Sequence, residues 1–278
     1  MVTPTQDPQA ARLAALAALA EQAAATLPTS RPVEPRGAGP VLGADIGWPQ
    51  CPKGLGIPER RTLGSPLPLP EAEYVVVGLT NGPGFTVNPC LADQVARVRE
   101  LHLLAAAYAV VSYSAGDAVA EHGHVGPYDG DTELGALANT GYQQSLANVR
   151  AMRSAGLASP IVWVDVEPVP DFDWSNDPVA NAAVVEGATR GYADAGYRVG
   201  VYSTPYLWSE IVGDVALGLP EWRAAGQTSR AEALARCGAD GSIQGGRPVL
   251  GQWVAQQRDQ NVTCPGISAD LGRWFQQY

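Results

Sequence analysis

The chain has 278 residues, enough for one large domain or two small ones, and 46% of them are apolar, so it can bury a sizeable core. Its net charge is −10 and Lys53 is its one lysine, which excludes the basic surface that nucleic acid or an anionic membrane would need. No apolar run approaches the roughly 18–20 residues of a membrane span, so a neutral or mixed ligand held by hydrogen bonds and stacking is expected instead.

Residues 1–40 are predicted to form a helix and a Pro-rich linker ahead of a single domain at 41–278. Pro8–Thr26 is built of strong helix formers, and Leu27–Pro40 carries four prolines and two glycines. Ala10–Ala25 does not read as a signal peptide, because no basic stretch precedes it and Glu21 interrupts it. An export signal is expected to have been removed ahead of Met1.

From Val41 onward, β-rich runs alternate with helical ones. Val41–Trp48 and Tyr74–Thr80 are predicted strands, followed by a helix over Leu91–Glu100 and a strand over Leu103–Ser112. Asp131–Ala155 places Leu134, Leu137, Leu146, Val149 and Met152 at helical spacing, with Gly156 as its stop. Pro160–Glu167 is a strand. Asp177–Ala195 is a helix opened by Pro178 and stopped by Gly196, and Arg198–Ser203 is a fifth strand. The pattern then changes: Leu219–Ala225, Val249–Gln256 and Ile267–Trp274 read as strands without full helices between them. Strands alternating with helices in this number predict an α/β fold closed into a TIM-like barrel.

The chemistry concentrates on the fourth strand. Side chains alternate along it, so Ile161, Trp163, Asp165 and Glu167 share one face and Val162, Val164 and Val166 the other. The valine face suits outer helices. The opposite face turns two carboxyl groups inward at the strand's C-terminal end, where barrels build their sites. Two close carboxyl groups push their pKa values apart, so that one can hold a proton while its neighbour stays ionised. Glycosidic cleavage needs both: a proton for the leaving oxygen and a negative charge for the developing cation. Asp45, between Gly43 and Gly47 on the first strand, is a third candidate, its bare face leaving room for a ligand. Asp270 is a fourth.

Trp48, Trp174 and Trp208 follow strands one, four and five, and with Tyr202 and Tyr206 are candidate sugar platforms. His122 and His124 lie in a polar loop. No metal site is expected, since Cys51, Cys90, Cys237 and Cys264 form no CxxC pair. They read as two disulfides in an oxidising compartment. Of the three possible connectivities, Cys51–Cys90 with Cys237–Cys264 is favoured, the first pair sitting in the loops after strands one and two.

Five segments in order resemble the family-25 glycoside hydrolases, the lysozyme-like muramidases. GADIGWPQ at Gly43–Gln50 resembles the family's opening strand, and WVDVEP at Trp163–Pro168 its DxE strand. VGVYS at Val199–Ser203, GQWVAQ at Gly251–Gln256 and ADLG at Ala269–Gly272 resemble its later segments. WPQC at Trp48–Cys51 and NPC at Asn88–Cys90 resemble exported actinobacterial proteins of the glycoside-hydrolase-like type. The resemblance implies a (β/α)5(β)3 barrel. It makes Glu167 the general acid, Asp165 the carboxylate that assists the substrate's N-acetyl group and Asp45 their support, with Gln252 and Asp270 lining the cleft. It also implies an exported or wall-associated monomer that acts on a cell-wall polysaccharide such as peptidoglycan, without a cofactor. Gly47, Gly251 and Gly272 depart from the family's Ser, Trp and Asn. A non-catalytic, wall-associated glycan-binding or structural protein on the same barrel is therefore the alternative function.

Overall fold

The computed structural model describes residues 39–278; the helix and almost all of the linker expected within residues 1–40 lie outside them. Eight strands close into a barrel: Leu42–Ile46 (β1), Tyr74–Gly78 (β2), Leu104–Val110 (β3), Ile161–Asp165 (β4), Arg198–Ser203 (β5), Glu221–Gln227 (β6), Pro248–Ala255 (β7) and Arg258–Thr263 (β8). Neighbours from β1 through β7 run parallel. β8 is antiparallel to both β7 and β1 and seals the ring. Gln276–Gln277 (β9) adds a short antiparallel pairing at the start of β3.

The described helices are Leu91–Glu100 (α1), Asp117–His122 (α2), Glu133–Ser154 (α3), Pro178–Asp194 (α4), Pro205–Val212 (α5) and Arg230–Ala235 (α6). Their starts follow local chemistry. Thr132, Asp177 and Thr204 cap α3, α4 and α5 by accepting a backbone N–H from the first turn. The link from β1 to β2 carries two 3-10 turns, Trp48–Gln50 and Pro58–Arg60, in place of a helix.

The two faces of β4 divide the core as the alternation requires. Val162, Val164 and Val166 pack outward with Leu137, Val149, Val184 and Ala188 of α3 and α4. Ile161 and Trp163 pack inside with Tyr202 and Trp222. The helices α3 and α4 touch through glycine: a Cβ on Gly141 would strike the Val184 carbonyl, and one on Gly187 the Ala138 carbonyl.

The eighth strand is not the predicted one. Ile267–Trp274 turns as a 3-10 segment, and β8 lies earlier, at Arg258–Thr263. Gln256 and Gln257, at φ of 55° and 58°, make the tight reversal out of β7. Ile267, Leu271, Trp274 and Phe275 are apolar because they plug the N-terminal end of the barrel, against Tyr74, Leu104 and Ile161. Both disulfides form as favoured, Cys51–Cys90 and Cys237–Cys264, with Cα atoms 5.7 and 5.6 Å apart.

Candidate active site

At the opposite, C-terminal end of the strands, β1, β4, β7 and β8 gather carboxyl and amide groups. Ile46 packs outward on the helices, so Asp45, one residue earlier, turns into the barrel. The glycines beside it leave no open space for a ligand. The Tyr74 ring occupies the side-chain room of Gly43, and the Tyr108 hydroxyl that of Gly47. Gly47 is pinned from both sides of its backbone. Its N–H donates to Gln50 Oε1 at 2.8 Å, and its carbonyl accepts from Gln94 Nε2 at 2.7 Å. Asn88 donates to Gln94 Oε1 and to the Gly78 carbonyl, both at 2.8 Å. The WPQC and NPC segments thus fix the mouth of β1 against β2.

Asp45 is 8% exposed, and its Oδ1 accepts from Gln252 Nε2 at 3.0 Å and Asn261 Nδ2 at 2.7 Å. Gln252 accepts from the Tyr202 hydroxyl at 2.8 Å, and Asn261 from the Trp222 indole at 2.7 Å. Every donor in this chain of contacts is directed toward Asp45. Burial and the neighbouring Asp259 nevertheless hold its carboxyl well above the usual range, because the two amide bonds only partly offset them.

Asp165 ends β4, is 3% exposed, and its Oδ1 is buried without a hydrogen-bond partner. Burial first, then Glu167 and Asp45, push it well above the ordinary carboxylate range. Burial thus opposes the ionised state expected of Asp165, whose Oδ1 finds no donor within the protein. Glu167, half-buried two residues on, is raised to about 7 by burial and by Asp259, against a lowering from Arg60. Its turn is fixed. The Trp174 indole donates to the Glu167 carbonyl at 2.9 Å, and Ser203 Oγ to the Val166 carbonyl at 2.7 Å.

Asp45, Asp165, Glu167, Tyr202 and Gln252 thus gather at the C-terminal end of the barrel. Trp48 is half-buried beneath the Arg60 guanidinium, 5.6 Å from its ring centroid. The other candidates are placed differently. Trp208 is 2% exposed within the helical layer and donates to the Val215 carbonyl, because α5 turns its indole toward the core. Trp174 spends its indole N–H on the Glu167 turn. Asp270 is exposed on the 3-10 turn that plugs the far end of the barrel. Tyr206, 69% exposed on the first turn of α5, is free to meet a ligand. His122 stacks on Phe85 at 4.3 Å. Among the described residues no group of three His, Cys, Asp or Glu could hold a metal, and no helix is long and apolar enough to cross a membrane.

Four residues of the cleft were not singled out from the sequence: Asp259, Asn261, Tyr108 and Arg60. Asp259 and Asn261 share the inward face of β8, whose alternation RDQNVT is a polar signal that a search for apolar runs passes over. Tyr108 stands out only as the one aromatic residue on the inner face of an alanine-rich strand. Arg60 has no local signal at all, being brought in by loop geometry.

Comparisons with known proteins agree with this architecture. A family model described as "Lysozyme-like protein 1" matches residues 134–232, which include β4, Asp165 and Glu167. A "Probable GH family 25 lysozyme 4" from Dictyostelium discoideum is 38% identical over 66 residues, 23% of this chain and 30% of that protein. The match thus spans under a third of that relative's length. A bacterial lysozyme from Streptomyces coelicolor superposes with a TM-score of 0.52 at 13% identity, over 84% of this chain and 96% of that one. GHIP, a glycosyl hydrolase 25 of Streptococcus pneumoniae, does so with 0.52 at 14%, over 94% and 98%. At such identities the likeness is one of fold. The chain is similar in sequence to a family-25 lysozyme over a short stretch, and its barrel shares the fold of these solved lysozymes.

Proposed function

We propose that this barrel is a glycoside hydrolase acting on a cell-wall glycan, with peptidoglycan, the substrate of lysozymes, as the leading candidate. One observation carries the reading: two carboxyl groups side by side at the end of β4, one raised to about 7 and one buried with an unpartnered oxygen. Glu167, raised to about 7, keeps a large protonated fraction near neutral pH, so it is the general acid for the leaving oxygen. Asp165 lacks a donor. An N–H from the substrate's acetamido group supplies it, favours the carboxylate form, and lets Asp165 steer that group toward the anomeric carbon. Asp45 supports the pair through its amide contacts. No cofactor enters this scheme. The two disulfides suit an oxidising compartment and support a protein that works outside the cell, on or near the wall.

The test is release of reducing ends from purified peptidoglycan and from arabinogalactan between pH 4 and 8. Glu167→Gln is expected to lose hydrolysis of unactivated glycans by about 10²–10⁴-fold while still binding them. Asp165→Asn should also lose orders of magnitude. A wild-type protein that binds glycan but releases nothing, with Glu167→Gln binding equally, would leave a wall-binding module instead.

A further inference from the structure

The cleft holds four acids, and the charges that act on Asp45 and Asp165 are carboxylates. Arg60 is the cation that acts on Glu167. It reaches that position by an unusual route. It ends the 3-10 turn Pro58–Arg60, far from β4 in sequence, on the helix-free link between β1 and β2. That link is braced at its start by the Cys51–Cys90 disulfide. Further along, Thr62 Oγ1 accepts from the Leu55 N–H at 2.8 Å, and Arg61 donates to the Gly56 carbonyl at 2.7 Å.

From this braced loop the Arg60 side chain crosses the cleft mouth. Its stem lies against Gly82 after β2, where a Cβ would meet Arg60 Cγ at 3.0 Å. The guanidinium covers Trp48, and its Nη2 donates to the Pro170 carbonyl at 2.7 Å, three residues beyond Glu167. Nε is buried and has no hydrogen-bond partner. The protein therefore fixes the guanidinium through stacking and one hydrogen bond and leaves the charge unneutralised by any ion pair within 4 Å among the described residues. A cation held this way, with a bond left unmade, is placed for its field rather than for loop stability alone.

We propose that Arg60 is a positioning residue for the reaction: its guanidinium is delivered to the Glu167 side of the cleft to steady the carboxylate that Glu167 becomes once its proton has passed to the leaving oxygen. The inference rests on the acid role given to Glu167 above. In that step the Glu167 O–H bond breaks, the proton bonds to the glycosidic oxygen, and the electron pair stays on Glu167. The new negative charge appears beside Asp259 of β8, with Asp165 and Asp45 behind it and the Tyr108 and Tyr202 hydroxyls, both kept neutral by burial and these acids, alongside. Without an opposing cation, Asp259 makes the proton harder to give up.

Two variants separate charge from scaffolding. Arg60→Gln keeps an N–H donor for the Pro170 carbonyl and removes the charge, whereas Arg60→Lys keeps the charge and removes the planar fork. Glu167 must be protonated to act, so activity is lost as pH rises through its pKa. Removing Arg60's charge should raise that pKa and move the alkaline limb of kcat upward by about half a pH unit or more. It should also lower kcat at the optimum by about three- to tenfold with KM little changed, and Arg60→Lys should restore the limb. A limb that stays in place in Arg60→Gln overturns the proposal, even if activity falls. Carbon-13 NMR titration of the Glu167 carboxyl in wild type and Arg60→Gln reads the same shift without turnover. An upward move there supports the charge role even if the wild type hydrolyses nothing, and an unmoved titration overturns it.

Discussion

Glu167 is tuned by two neighbours of opposite sign, and this makes the local electrostatics testable one residue at a time. Asp259 raises the Glu167 pKa and Arg60 lowers it, with burial the larger cause behind both. Replacing Asp259 by Asn removes a negative charge and so favours the ionised form of Glu167. Its pKa should fall, and the alkaline limb of activity should move to lower pH, by about half a unit or more. That is the opposite direction to Arg60→Gln. A pH–rate profile of Asp259→Asn with its alkaline limb at the wild-type position would show that the two carboxyl groups do not sense each other. Asp165 behaves differently, because its Oδ1 lacks a partner while its burial is nearly complete. Burial favours its protonated form and a ligand N–H would favour the carboxylate, so an N-acetylated glycan should take hold with release of a proton from this group.

At the scale of elements, the contact of α3 with α4 decides how the helical layer sits on the valine face of β4. Alanine is the better helix former by about 1 kcal/mol, so propensity alone says Gly187→Ala should stabilise. Packing says the reverse, since the new methyl would enter the Ala138 carbonyl. Overpacking against backbone costs about 1–3 kcal/mol or more and should win, lowering the melting temperature by several degrees in calorimetry. Glu186→Ala, one residue away and exposed, is the control and should leave it nearly unchanged. Elements of this kind were legible in the sequence. The period of Leu134 to Met152, the caps at Asp177–Pro178 and the alternation of Ile161–Glu167 each state their own structure. β8 was not legible, because its inward side chains are the polar partners of Asp45 and its strand character depends on closing the ring. Ile267–Trp274 misled for the converse reason: its apolar residues serve as a plug and not as a ladder. Trp208 misled because a position after a strand says nothing of which way a helix then turns it.

For the molecule as a whole, the cleft is a store of destabilisation whose sign follows from the raised acids. A carboxyl whose folded pKa exceeds its unfolded value binds its proton more tightly in the folded state. Its contribution is therefore intact below the unfolded value near 4 and is lost as pH rises through the folded value. Glu167 spans a window from about 4.5 to about 7, and Asp45, Asp165 and Asp259 are displaced in the same direction. The net charge of −10 adds general repulsion over the same range, so a fall in wild-type stability toward alkaline pH would not by itself identify the cleft. A difference between isosteric variants does. Glu167→Gln removes the ionisation and keeps the shape, so it should match the wild type at pH 4.5, where both side chains are neutral. At pH 8 it should be the more stable protein, by about 2 kcal/mol or several degrees in melting temperature. Asp165→Asn should show the same pattern. The barrel would then tolerate its acids at a cost in stability, which is the expected mark of a site kept for function. Melting curves in which the variant and wild type differ equally at pH 4.5 and pH 8 would mean that burial does not disfavour these carboxylates, and the acid role of Glu167 would lose its electrostatic basis.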